Sequence, residues 1–415
     1  MALPLEGVRI VDLTIIIAGP TATAALADLG AEVIKIENIN ARLAGGPRTL
    51  PPAPGVEIDR PYNRVPAFHE LNRGKKSLTL NLNQPEARDA FLRLVRVSDV
   101  VIENFSPRVM PNFGLTYENL KAIRPDIIMV SMPALGSTGP YSTRASFGPG
   151  IDAMSGLAHL TGFPDGPPVK PGNFLGDFSA GMLAAYAVMM ALYSRNQTGE
   201  GQHIELAMRE GETFLIGEYL VGAAINGDSP MRMGNRHPSL APHSIYPCQG
   251  EDRWVAIAVE NDEEWQRLCG TLGNPAWCQD QRFSDAVGRW RHQDEIDGHL
   301  AQWTRSQTPY QAMERLQAAG VNAGAVLNSQ DIAEDPHYQA RDFIQELNLP
   351  EAGPMRTVRP GYVLSKSPAV LKAGPGFGEH NDYVLRQLLG FSEYEIQHME
   401  QIQAISREPI QIERA

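Results

Sequence analysis

The sequence predicts an α/β protein: a Rossmann-like domain on an open parallel sheet, accompanied by a smaller α/β domain. Three observations predict it. Short apolar strand patterns alternate with helical patterns through the first 130 residues, as in successive βαβ units. A second, shorter alternation lies between residues 226 and 330. Two Gly/Pro-rich stretches, residues 44–66 and 133–176, are of the kind that carry ligands beside α/β sheets.

Each element has its own signal. Val8–Leu13 is a β-rich run, Ala18-Gly19-Pro20 breaks it, and Thr21–Leu29 is Ala-rich and helical. Gly30 is placed as a helix C-cap, and Ala31–Glu37 is the next strand. Parallel strands need such a crossover, which is right-handed. Ser77–Leu82 reads as a strand and Pro85–Val97 as a helix with proline in its first turn. Asp99–Glu103 is a strand, Tyr117–Ile123 a helix and Asp126–Met132 a strand. Residues 44–66 and 133–176 are irregular. Phe178–Tyr193 is an apolar helix, shorter than the ~20 residues of a bilayer span, and reads as a core helix. Glu210–Ile225 is helical, and Gly227–Pro247 is irregular. The small domain then reads as strand Arg253–Val259, helices Asp262–Leu272, Asp294–Trp303 and Tyr310–Ala319, and strand Asn322–Leu327. Beyond it follow Pro336–Phe343, a Pro/Gly-rich stretch, and the polar helical patterns Asp382–Leu389 and Glu393–Ile402.

Composition narrows the function. With 415 residues and a net charge of −12, the chain lacks the basic excess of a nucleic-acid binder. No secretion signal is visible, and Cys248, Cys269 and Cys278 have no C-x-x-C spacing. The expectation is a soluble cytoplasmic protein without structural metal and with no membrane partner.

Familiar motifs fail. The first turn, Ile16–Pro20, lacks the G-x-G-x-x-G of a dinucleotide fold, although Glu37 stands where an NAD-binding acid belongs. Gly74-Lys75-Lys76-Ser77 lacks the first glycine and the Ser/Thr of a P-loop. There is no G-x-S-x-G and no H-E-x-x-H. His237 and His243 read as satisfied loop or core groups rather than metal ligands.

Asp177 stands out. It is the only carboxylate between Asp165 and Glu200, and it joins a glycine-rich loop to an apolar helix. One reading is a helix N-cap. The other is a nucleophile, with a helix N-terminus favouring the ionised form and apolar surroundings stripping its hydration. Gly172 and Gly176 would let backbone N–H groups and substrate approach.

Several segments together resemble the class III CoA-transferases, whose fold is shared by the α-methylacyl-CoA racemases. They are Leu5–Thr14, Ala18–Pro20, Leu29–Glu37, Leu71–Ser77, Glu103–Phe105 with Gly114-Leu115, Gly199–Gln202, Gly234–Pro238, Gly320–Gly324 and Gly378–His380. The resemblance spans nearly the whole chain. It implies an interlocked dimer in which residues 1–225 begin a Rossmann-like CoA-binding domain, 226–330 form the small domain and 331–415 return to complete the large one. It also allows a heteromer with a related subunit.

The resemblance implies that Asp177 is the nucleophile of a transfer through aspartyl anhydrides and an aspartyl-CoA thioester. CoA is then a substrate, and no cofactor is permanently bound. Backbone N–H groups near Gly176 are candidate oxyanion donors. Ile16, Ala18 and Pro20 line the first loop, Leu71 belongs to the matched basic segment, and Asn104 and Phe105 meet the nucleotide end. Arg73, Lys75, Lys76, Arg108 and Arg144 are candidates for the CoA phosphates.

Two arginines usual in the family are Asn38 and Asn112 here, and Arg108 is placed to compensate. Phe147 occupies the position of the racemase's histidine base and cannot exchange a proton, which opposes racemisation. Ile15, Ile16 and Ile17 replace polar groups of the oxalate-handling members and favour a larger, partly apolar acid. The run His237–Cys248 and the proline-rich loop resemble succinyl-CoA-dependent members. The other readings are a 2-methylacyl-CoA racemase and a CoA-binding subunit of a heteromeric transferase.

Overall fold

A computed structural model describes residues 2–40, 49–56, 60–227 and 231–410. Parts of the 44–66 and 227–247 stretches lie outside the described residues. The chain divides into two compact units, Met1–Ala158 with Lys170–Asp228 and Ala340–Ala415, and His159–Val169 with Ser229–Gln339.

The first unit is built on a six-stranded sheet. Its strands are β1 (Arg9–Asp12), β2 (Glu32–Glu37), β3 (Lys76–Thr79), β4 (Val100–Glu103), β5 (Ile128–Ser131) and β6 (His203–Glu205), in the order β3-β2-β1-β4-β5-β6. Every pairing is parallel. Alternation along each strand sorts side chains to two faces. Val11, Ile34, Ile36, Val101 and Met129 enter one core, with Phe91 and Leu94 of helix Pro85–Arg96. Ile10, Val33, Val100, Ile102 and Ile128 enter the other, with Ala18, Ala22 and Leu26 of α1 (Ala18–Asp28). Continuous apolar strands are what a sheet buried on both faces requires.

The same second core takes Ala180, Ala184 and Val188 of α2 (Leu175–Thr198). This helix has 24 residues, more than the sequence pattern suggested, and half of its most apolar window is buried. Length and hydropathy alone would let it cross a bilayer. Its buried face packs instead on α1 and the sheet. Residues expected to be irregular before it include the short helix Gly148–Met154. The expected helix Glu210–Ile225 is two helices, Met208–Leu215 and Gly217–Asn226, with Ile216 between them.

The C-terminal segment returns to this unit. Val384, Leu385, Phe391, Ile396 and Met399 complete the first core. Asn81 N–H donates to the Ala404 carbonyl at 2.8 Å, and Thr79 Oγ1 donates to that of Ser406 at 2.6 Å. A two-stranded hairpin, Ile344–Leu349 with Gly353–Val358, lies in the segment before Asp382, where the sequence pattern predicts no strand.

The second unit has an antiparallel sheet of His243–Pro247, Trp254–Ala258 and Asn322–Val326. Trp265, Leu268, Phe283, Ile296, Leu300 and Leu316 form its core. Its helices start where the chemistry places them: Asn261 caps the first through the Glu264 N–H, and Thr308 with Gln311 forms a capping box. His243 donates from Nδ1 to the Asn235 carbonyl at 2.9 Å, and His237 Nδ1 accepts the Leu240 N–H, so both serve the loop.

Candidate active site

A polar network fixes the loop between β1 and α1. Asp12, fully buried at the end of β1, accepts from the Thr14 N–H at 2.8 Å, Thr23 Oγ1 at 2.7 Å and Lys75 Nζ at 3.0 Å. Lys35 Nζ donates to the Thr14 carbonyl at 2.6 Å, and Lys75 Nζ to that of Pro20 at 3.1 Å. Burial raises the Asp12 carboxyl, but the charges of Lys35 and Lys75 outweigh it and hold the group near 2. Burial pulls Lys75 down to about 7 despite Asp12 beside it. Asn104, after β4, clamps the loop from the other side: it accepts the Ile15 N–H at 2.8 Å and donates to the Ile15 carbonyl at 2.9 Å. Ile16 is held at φ 68°, a left-handed conformation costly for a β-branched residue.

This loop faces Asp177. The carboxylate is 8% exposed and lies in the first turn of α2, two residues beyond the helix start rather than at the N-cap, which is Phe174. Burial, then the charge of Asp152, push Asp177 up to about 6. The Ala18 backbone N–H at the start of α1 opposes them by favouring the ionised form. Gly148 makes room for the nucleophile. A Cβ there would lie 2.4 Å from Asp177 Oδ2 and 2.8 Å from the Phe174 ring.

Asp177 opens onto a cavity of about 480 Å³ lined by Ile15, Ile16, Ile17, Phe105, Phe147, Phe174 and Arg144, among others. Arg144 is the cation among the described lining residues, and its guanidinium lies 4.4 Å from the Tyr141 ring centre. Phe147 is among the lining residues and is 73% exposed overall. The wall is apolar, with one carboxylate and one guanidinium, and suits an acyl group with a polar end.

The structure sorts the residues expected at the site. Ile16, Asn104, Phe105, Arg144 and Asp177 line one cavity, and Ala18 reaches it through its N–H. Pro20 and Asn38 line a smaller neighbouring recess with Ile16. Arg108 is exposed, and its neighbours Pro107 and Val109 line the main cavity. Arg73, Lys75 and Lys76 are engaged elsewhere. Arg73 pairs with Asp28 at 2.7 Å and Lys76 with Glu32 at 2.5 Å, while the Lys75 side chain is wholly buried on Asp12. The reading of Lys75 as a phosphate contact fails on that burial, and Leu71 ends a short helix without lining the cavity. The Gly176 N–H, expected as an oxyanion donor, is already directed at Asp152 Oδ1 at 3.3 Å. Glu37 is buried and accepts the Ser77 hydroxyl at 2.5 Å, so it is not presented to a ribose.

Sequence reasoning missed Gly148, Asp152, Phe174 and Glu212. Gly148 and Asp152 come from one helix and Glu212 from another, with no sequence spacing that joins them to Asp177, while Phe174 precedes it by three residues as the N-cap of α2.

Comparison with known proteins agrees with this geometry. The model for "CoA-transferase family III" matches residues 5–381. A succinyl-CoA–D-citramalate CoA-transferase of Chloroflexus aurantiacus is 34% identical, covering 94% of this chain and 95% of that protein. A succinate–glutarate CoA-transferase of Agrobacterium fabrum is 33% identical, covering 93% and 96%. A crystal structure of a CAIB/BAIF family protein from Brucella suis superposes with a TM-score of 0.83 at 32% identity, covering 94% of this chain and all of that one. The order 3-2-1-4-5-6, the carboxylate at the head of α2 and these full-length matches carry one conclusion: the chain belongs to CoA-transferase family III, and it is a transferase of CoA between acids.

Proposed function

We propose that Asp177 carries CoA from the acyl-CoA of a dicarboxylic acid to a carboxylic acid acceptor. The observation that carries this reading is a desolvated carboxylate facing an apolar cavity that ends in one guanidinium. The Asp177 oxygen attacks the thioester carbon, a C–O bond forms, and CoA leaves as thiolate with the C–S electron pair. The thiolate then attacks the Asp177 carbonyl of the anhydride. This releases the donor acid and leaves an aspartyl-CoA thioester. The acceptor carboxylate repeats the sequence in reverse. Thioester energy is kept throughout, and no nucleotide triphosphate is consumed.

Raised basicity serves this chemistry, because a carboxylate stripped of water is a stronger nucleophile. The Ile15–Ile17 wall and Phe105 favour an acid larger than formate or oxalate, and Arg144 is the partner for a second carboxylate. The acids named for two of the relatives, succinate with citramalate and succinate with glutarate, fit that class, whereas other relatives at 31–32% identity are named for formate and oxalate. With Arg144 given to the acid, Arg108 is the candidate left for the CoA phosphates, since Lys75 is buried on Asp12 and the half-buried Arg73 and Lys76 are paired with Asp28 and Glu32. Phe147 at the cavity wall supplies no base, which opposes racemisation. The buried free cysteines fit a reducing, cytoplasmic setting.

The test is trapping. Purified protein is incubated with succinyl-CoA and other acyl-CoA donors, quenched with hydroxylamine or borohydride, and mapped by mass spectrometry. Donor-dependent modification of Asp177 is expected, with transfer lost by at least ~1000-fold in Asp177→Ala. Arg108→Ala is expected to raise the KM for the donor severalfold. Turnover with Asp177 unmodified would overturn the reading.

A further inference from the structure

Behind Asp177 lie two more acids. Asp152, on Gly148–Met154, and Glu212, on Met208–Leu215, are both fully buried. Asp152 Oδ1 accepts the Gly176 N–H at 3.3 Å, while its Oδ2 and both Glu212 oxygens lack a well-formed hydrogen bond, the Ser155 hydroxyl being the one neighbour that favours ionised Glu212. The three helices meet where residue 176 lacks a side chain: a Cβ there would lie 2.8 Å from Glu212 Oε2 and 2.9 Å from Ile151. Two buried carboxyls side by side cannot both ionise cheaply, so one keeps a proton and donates it to the other. Burial, then Asp152 itself, push Glu212 up to about 7, so below that pH Glu212 is the member that holds the proton. The ionisable groups acting on Glu212 are Asp152 and Asp177; the group acting on Asp177 is Asp152, with the Ala18 N–H opposing.

We infer that Asp152 and Glu212 form a proton-sharing pair that positions the Gly176–Asp177 turn and drives acylation of Asp177 by charge repulsion. This rests on the reading of Asp177 as nucleophile. The transfer cycle moves no net proton, so the pair has none to give, and its action is electrostatic. In the free enzyme the pair carries negative charge beside the ionised Asp177. In the anhydride and in the aspartyl-CoA thioester Asp177 is neutral, and the repulsion is gone. The pair therefore raises the free enzyme relative to both covalent intermediates. Asp152 and Glu212 are positioning residues, since neither lines the cavity.

The experiment is single-turnover acylation by succinyl-CoA from pH 4.5 to 8.5, read by intact-protein mass. In the wild type the rate falls as pH drops through a midpoint near 6, where Asp177 takes up its proton. Asp152→Asn keeps an acceptor for Gly176 but no charge. It is expected to move that midpoint to lower pH and to reduce the acylated fraction at pH 7.5 by about three- to tenfold. Glu212→Leu removes the donor to Asp152 and is expected to slow acylation severalfold with an unchanged KM for succinyl-CoA. Glu212→Gln, whose amide donates in its place, is expected to restore much of the rate. If Asp152→Asn does not fold, the Leu/Gln contrast at 212 decides. An unmoved midpoint in Asp152→Asn, or equal losses in the two Glu212 variants, overturns the pair. Absence of any wild-type adduct at Asp177 overturns the nucleophile reading instead.

Discussion

At Asp177 two demands conflict. The helix start and the Ala18 N–H favour a carboxylate, while burial and Asp152 oppose it. The sum has a thermodynamic sign. Its carboxyl is raised from 3.8 to about 6 in the folded protein. Between those values the folded state binds more protons than the unfolded state, so stability falls as pH rises through the window. Asp177→Asn removes that cost. It is expected to stabilise the protein by about 2 kcal/mol at pH 7.5, the gain fading toward pH 4, in urea unfolding followed at both pH values. A gain equal at both pH values would contradict the sign. Asp177 itself was legible in the sequence, as a lone carboxylate between a glycine loop and an apolar helix. Asp152 and Glu212 were not. They sit on other helices, and ordinary acids in amphipathic patterns carry no mark of burial.

Among the elements, the most informative is the loop between β1 and α1. Its carbonyls at Thr14 and Pro20 are held by two lysines that share one aspartate. Lys75 read as a ligand for phosphate because a lysine beside a glycine in a basic segment looks the same whether it points in or out. Its partner Asp12 is 63 positions away, and only the parallel pairing of β1, β2 and β3 brings them together. Lys75→Met is expected to destabilise the first unit by about 3 kcal/mol, since it leaves Asp12 buried with Lys35 alone at 4.0 Å. Denaturant unfolding measures it, and an unchanged midpoint would show that the loop is held by other contacts. The strands of the sheet were legible where apolar runs were long and bounded. β6 was not: it has three residues, two of them exposed, and neither period nor composition marks it. The start of α2 was placed late because glycine at 176 argued against helix, whereas tertiary packing requires it there.

The whole molecule leaves one face of the first unit apolar. Tyr186, Met190 and Tyr193 of α2 and Phe214, Leu220 and Ile225 of the following helices are each at least 49% exposed in the single chain. Patches of that kind mark association surfaces. We propose that this face is covered by a second copy, as the interlocked dimer of the family implies. Light scattering is expected to give twice the 45.5 kDa chain mass, and Tyr193→Asp to lower the association. A monomer at micromolar concentration would refute it.

The return of the C-terminal segment has a consequence for synthesis. β1 to β6 and Asp177 are all synthesised by residue 205, but the apolar layer supplied by Val384, Phe391 and Met399 follows only after residue 383. Until then the flank of the sheet that receives Leu78, Phe91 and Leu94 lacks part of its cover. The nascent chain therefore carries its reactive half early and unsealed, and the moment of greatest aggregation risk precedes release. Termination just before Val384 would remove none of the described groups that line the cavity, yet would leave an open core.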